Sequence, residues 1–206
     1  MYRRNLKHSR VKNLFKFASL KMDSIMTVES ALEFDTCFHF EYSPDVISFE
    51  AQPEGFYYSF NGKELPYTPD FLVVDKVNGT RFVEVKPVTK TANPDFRERF
   101  ICRQERAIEL GAPVILVTER QIRLNPILNN LKLLHRYAGL QSFTDLHFII
   151  LELVKKSGVV SVRNLISATR AMEGDVLAST VTWLSLGKLK TDLSSSDLGL
   201  DSMVWC

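Results

Sequence analysis

Cysteine is scarce in this 206-residue chain, and the three present, Cys37, Cys102 and Cys206, are odd in number and widely spaced, with no Cys-x-x-Cys pair. That argues against both a disulfide framework and a cysteine zinc site and leaves free thiols in a reducing compartment. Histidine does not cluster either: His39, His135 and His147 stand singly, so no histidine ligand set or histidine base is expected. No apolar run reaches the roughly 18 residues that a membrane span needs, and the N-terminus lacks the continuous apolar stretch of a secretory signal. A cytoplasmic location with no membrane partner is the expectation. Internal repeats are absent, and the only biased segment is the serine run 194–196.

Acids are missing from the first 22 positions, where Arg3, Arg4, Lys7, Arg10, Lys12, Lys16, Lys21 and His8 precede the first carboxylate, Asp23. Removing those seven of the 26 basic residues leaves 19 against 24 acids, so a basic arm stands ahead of an acidic body although the net charge is only +2. Such an arm, taken as residues 1–22, suits a polyanion whose phosphates attract Lys and Arg with little sequence preference. Arg3, Arg4, Lys7, Arg10 and Lys12 are its candidate DNA contacts. The chain as a whole is 45% apolar, enough for one ordinary domain or two small ones.

Ile25 to Phe40 contains neither Gly nor Pro and reads as a helix, with Ile25, Val28 and Leu32 on its apolar side and Glu29 and Glu33 four apart on a shared face. Val46 to Phe49 reads as a strand. Phe56–Phe60 and Lys63–Tyr67 flank Asn61-Gly62, which supplies the positive φ angles of a two-residue hairpin turn. Strands are expected at Phe71–Val74 and Arg81–Lys86, then a helix capped by Asn93 with Pro94 first and Gly111 after its end. Val114–Val117 reads as a buried strand, and Pro126 to Tyr137 as a further helix. Hairpins followed by a helical crossover predict a mixed α/β sheet flanked by helices over residues 23–141. From Ser142 the pattern becomes three short helices, 146–155, 162–172 and 176–184, and a hairpin over 186–193, the order of a winged-helix domain. On these helices Trp183 is expected in the core, and Trp205 lies in a tail that packs or docks a partner.

The chemistry concentrates in Tyr67-Thr68-Pro69-Asp70-Phe71 and Val83-Glu84-Val85-Lys86-Pro87. Successive strand residues point to opposite faces, so Glu84 and Lys86 share one face and a hairpin brings Asp70 beside them. Two carboxylates and an amine at one sheet edge suit phosphodiester hydrolysis. Carboxylates hold Mg²⁺, or Mn²⁺ equally, and the ion polarises the phosphate and lowers the pKa of a bound water. Lys86 would orient or deprotonate the attacking water or stabilise charge on phosphate oxygens. Glu33 and Glu29 are both candidates for a third carboxylate. The bland alternative is a cross-strand ion pair on a solvated face, against which the apolar flanks of both strands argue.

In order and spacing these blocks resemble the TnsA endonuclease family, one half of a heteromeric cut-and-paste transposase. The resemblance runs from about Met22 to Tyr137 and more loosely beyond. It rests on Glu29-Ser30-Ala31-Leu32-Glu33, Phe40-Glu41-Tyr42-Ser43-Pro44-Asp45-Val46, Ser48-Phe49-Glu50-Ala51-Gln52-Pro53, Tyr67 to Phe71, Glu84 to Pro87 and Val117-Thr118-Glu119. It implies a restriction-endonuclease-like fold and favours Glu33 over Glu29 as the helix carboxylate, with Phe40-Glu41 as the second pair of the pattern. It implies catalytic roles for Glu33, Asp70, Glu84 and Lys86 and a metal-binding set of Glu33, Asp70, Glu84 and Val85, with Gln52 and Glu29 in support. It further implies that the chain cuts the 5′ ends of a transposon in a bacterial cytoplasm, on double-stranded DNA, beside a TnsB-like transposase and a TnsC-like AAA+ regulator. The compact chain with a basic arm also resembles members from transposons guided by CRISPR effectors. Two other readings stand beside it: a stand-alone restriction or repair endonuclease, and a DNA-binding adaptor without activity.

Overall fold

Two short strands open the described part of the chain, residues 14–139 and 142–206 of a computed structural model. β1 (Phe15–Ser19) and β2 (Ser24–Val28) pair antiparallel, Phe15 opposite Val28. Phe17 is buried and meets Phe34 and Phe38 edge-on. The expected arm is therefore too long: residues 15–19 are a core strand, because the Phe-x-Phe alternation buries one face despite its basic neighbours. Arg3, Arg4, Lys7, Arg10 and Lys12 lie outside the described residues.

The helix expected from Ile25 starts six residues later, as α1 (Ala31–Tyr42). Met26 and Val28 are buried while Ile25 is exposed, a period of two that β pairing satisfies. Ser30 then stops the strand and caps the helix with extended backbone, its Oγ accepting from the Glu33 N–H at 3.1 Å. Glu41, near the helix end, is a buried tie: its carboxylate accepts from Ser19 Oγ and from the Leu20 and Lys21 N–H groups of the β1–β2 turn.

β3 (Val46–Ala51) follows, then β4 (Phe56–Phe60) and β5 (Lys63–Tyr67), β6 (Phe71–Asp75) and β7 (Gly79–Val85). Asn61 and Gly62 take φ of 51° and 71°, the turn their identities predict. α2 (Val88–Thr91) and α3 (Pro94–Glu109) carry the chain to β8 (Val114–Val117) and α4 (Glu119–Ile122). α3 begins as read, with Asn93 accepting from the Asp95 N–H and Pro94 in the first turn. The main sheet is ordered β3-β6-β7-β8, antiparallel at β3/β6 and β6/β7 and parallel at β7/β8, a mixed sheet with its crossover through α2 and α3. Phe71 and Val73 of β6 are wholly buried, with Phe71 against Phe40 of α1. The β4–β5 hairpin packs on α3 through Phe56, Tyr58, Tyr67, Phe100 and Ala107.

The described chain divides into two compact units at Leu124/Asn125, not at 141. α5 (Ile127–Ala138) belongs to the second unit because its apolar stripe, Leu128, Leu131 and Leu134, is buried there. That unit continues with α6 (Asp145–Ser157), β9 (Val160–Ser161), α7 (Val162–Thr169), α8 (Glu173–Ser185), β10 (Lys190–Thr191) and β11 (Met203–Trp205). α5, α6 and α7 all pack on α8. The hairpin expected over 186–193 does not form. Instead β11 lies between β10 and β9, so Trp205 is in a strand. Trp183 is buried and donates from Nε1 to the His147 carbonyl at 2.6 Å, as its helical position predicts. Among the described residues no helix is long and apolar enough to cross a membrane.

Candidate active site

Glu33 reaches the site from the first turn of α1. Its carboxylate accepts from Ser30 Oγ at 2.7 Å and from the Glu29 N–H at 3.0 Å, a reciprocal capping arrangement that holds a buried acid at the helix N-terminus. Glu29 lines the same cleft but precedes the cap, so it does not share a helix face with Glu33, contrary to the spacing argument. Gln52, buried just after β3 with φ of 50°, brings Nε2 to 3.5 Å from Glu33 Oε2. Its N–H donates to the Asp70 carbonyl at 2.8 Å, while its Oε1 is buried without a partner. Gln52 thus touches the backbone of one expected site residue and the side chain of another.

Asp70 stands one residue before β6. The β6/β7 register, Phe71 opposite Val83, sets it across from Glu84 when continued by one step. Its Oδ2 accepts the Val85 N–H at 2.7 Å and lies 3.5 Å from Lys86 Nζ. Lys86 Nζ is 2.8 Å from Glu84 Oε1, as the alternation of β7 and its extension predicts. Val85 turns its side chain into the core, so only its backbone is available: the N–H serves Asp70 and the carbonyl accepts Lys86 Nζ at 3.3 Å.

Two further residues complete the cleft. The Tyr67 hydroxyl donates to Glu84 Oε2 at 2.6 Å, and Arg103 of α3 brings its Nη1 to 3.9 Å from Glu84 Oε1. Tyr67 sits in the block that carries Asp70, yet only its burial against α3 reveals the bond. Arg103 is one of four arginines on α3, and nothing in its spacing separates it from Arg97, Arg99 or Arg106.

The charges perturb one another. Burial, then the neighbouring Glu84 and Glu33 carboxylates, push the Asp70 carboxyl well above the usual carboxylate range, with Lys86 and the Val85 N–H opposing. Burial disfavours the Lys86 ammonium, but Asp70 and Glu84 outweigh it and hold the group above an ordinary lysine, so it stays protonated. Burial, then Glu84, raises the Tyr67 phenol, which keeps its proton as a donor.

Glu33, Asp70, Glu84, Lys86, Tyr67 and Arg103 line one cleft of roughly 620 Å³. Three carboxylates make a hard oxygen donor set that suits Mg²⁺ or Mn²⁺, and a divalent cation would relieve the repulsion that raises Asp70. Among the described residues no three His, Cys, Asp or Glu side chains stand in the geometry of a metal centre. Here each carboxylate is engaged by protein donors: Glu33 by Ser30 and the Glu29 N–H, Asp70 by the Val85 N–H, and Glu84 by Tyr67 and Lys86.

No curated protein matches the chain. Residues 43–119 match the family described as TnsA-like endonuclease N terminal. The matched stretch runs from the residue after α1 to the first residue of α4 and contains Gln52, Asp70, Glu84, Lys86 and Arg103, whereas Glu29 and Glu33 precede it. Residues 43–119 are thus similar to the N-terminal domain of TnsA-like endonucleases, a likeness that covers the segment carrying Asp70, Glu84 and Lys86.

Proposed function

We propose that this chain is the metal-dependent endonuclease subunit that cuts the 5′ ends of a transposon during cut-and-paste transposition. The observation that carries the reading is the convergence of Glu33, Asp70, Glu84 and Lys86, from α1, the start of β6 and the end of β7, in one cleft. Glu33, Asp70, Glu84 and the Val85 carbonyl are the groups that would hold the cation. Once bound, such an ion polarises a phosphate and makes hydroxide accessible near neutral pH. Lys86, 2.8 Å from Glu84 and 3.5 Å from Asp70, is placed to donate to the developing negative charge on the phosphate oxygens. Ser30 fixes the Glu33 rotamer, and Tyr67 fixes that of Glu84.

The second unit supports a winged-helix reading: α6, β9, α7, α8, β10 and β11 follow the helix-strand-helix-helix-strand-strand order of that fold, with the last strand central. Its α8 is largely buried, packs against α5 and starts with Glu173 and Asp175 in its first turn. A covered, acid-tipped third helix is ill suited to a phosphate-lined groove, which favours contact with a protein such as a TnsC-like regulator. A TnsB-like transposase would supply the 3′-end cuts, and residues 1–13 carry the basic contacts to DNA.

The test is strand-specific cleavage of labelled transposon-end DNA by the reconstituted transposase with Mg²⁺. Asp70→Ala should abolish 5′-end cuts and leave 3′-end cuts. Unchanged cutting of both strands refutes the site. Cutting of naked DNA by the native chain alone favours a stand-alone endonuclease.

A further inference from the structure

Arg103 is built into the cleft in a way that ion pairing does not account for. Its guanidinium carbon lies 4.4 Å from the Tyr67 ring centre and 5.2 Å from that of Tyr58, so two aromatic faces hold the planar group in place. The donors are poorly used. Nη2 reaches the Tyr58 hydroxyl at 3.4 Å, Nη1 reaches Glu84 only at 3.9 Å, and Nε is buried without a hydrogen-bond partner. Glu84 does not need this cation, because Tyr67 and Lys86 already engage its two oxygens at 2.6 and 2.8 Å. A guanidinium held rigid by stacking, with donors to spare and a 17% exposed side chain lining the cleft, has the properties of an anion site. Burying it under-bonded is costly, and the cost is offset when an anion arrives.

We propose that Arg103 binds a phosphate of the DNA backbone in the cleft, through its terminal nitrogens, alongside the Glu33, Asp70, Glu84 and Lys86 group. This deepens the nuclease reading and rests on it. On the nuclease reading the anion is a backbone phosphate: the cleft is lined by four acids, Glu29, Glu33, Asp70 and Glu84, and Arg103 and Lys86 are the two cations lining it that a strand could meet. A phosphate contact adds affinity without sequence preference and adds to the salt dependence of binding.

The experiment is binding of a fluorescently labelled duplex to the full-length chain in EDTA over a salt series, comparing the native protein with Arg103→Gln and Arg103→Lys. Arg103→Gln should weaken binding about tenfold and lower the slope of log affinity against log salt by about one. Arg103→Lys, which keeps the charge and loses the planar fork, should restore the slope and only part of the affinity. Because a structural role in stacking would not be restored by lysine, the slope separates it from phosphate binding. Equal affinity and slope in all three proteins overturns the proposal, as does loss of slope in Arg103→Lys. Asp70→Ala, assayed in parallel for cleavage, reports on the nuclease reading itself, so that reading can survive while the Arg103 proposal fails.

Discussion

The Tyr67 hydroxyl and the Glu84 carboxylate form a buried 2.6 Å hydrogen bond between the end of β5 and the end of β7. The bond joins the β4–β5 hairpin to the main sheet at the point where the chemistry is expected. Tyr67→Phe leaves a buried carboxylate oxygen short of a donor, which costs roughly 1–3 kcal/mol. The expected outcome is a lower urea midpoint with an unchanged slope, together with reduced cleavage in the assembled transposase. An unaltered midpoint would mean that solvent replaces the hydroxyl.

Asp70→Asn should stabilise the metal-free protein while abolishing cleavage. Burial and the facing Glu84 and Glu33 raise the Asp70 carboxyl, so the folded state holds this proton more tightly than the unfolded one. The metal-free native chain then loses stability as pH rises from about 4, the unfolded value, through the folded one. Asn keeps an acceptor for the Val85 N–H and carries no charge. Its advantage in melting temperature should grow with pH across that window and shrink when Mg²⁺ is added to the native protein. A melting temperature that falls at every pH would show that the carboxylate stabilises the site.

Ser30→Ala removes the cap of α1 and the hydroxyl that donates to Glu33 at 2.7 Å. A loss of about 1 kcal/mol is expected from the cap alone. Cleavage should fall by more than Glu41→Gln changes it, since Glu41 ties the far end of the same helix to the β1–β2 turn and lies outside the cleft. Comparing the two variants at matched stability separates site geometry from global folding. Equal losses would assign Ser30 a purely structural role.

Much of the first unit was legible where local chemistry and tertiary demand agree. Asn61-Gly62 can hardly do anything but turn, Asn93-Pro94 starts a helix by itself, and the period of two in β7 puts Glu84 and Lys86 together without outside help. The misreadings share one cause. Residues 15–28 form a hairpin with Ser19 opposite Ser24, but its buried face is selected by packing on Phe34, Phe38 and Phe49, which lie further along the chain. Residues 186–193 carry a plausible turn, yet β10 finds its partner in β11 more than ten residues on. Pairing choices of that kind depend on which surfaces meet, and a local window contains no record of it.

By itself, then, the sequence determined the residue types that chemistry would need and their local spacing: Asp70 ahead of a strand, and Glu84 and Lys86 alternating in the next. Tertiary structure alone decided that α1 delivers Glu33 to that hairpin, that Tyr67 and not solvent satisfies Glu84, and that Arg103 among four similar arginines enters the cleft. The physical reason is that a side chain's charge and reach are properties of its residue, whereas burial, repulsion and the satisfaction of donors are properties of what the fold packs against it.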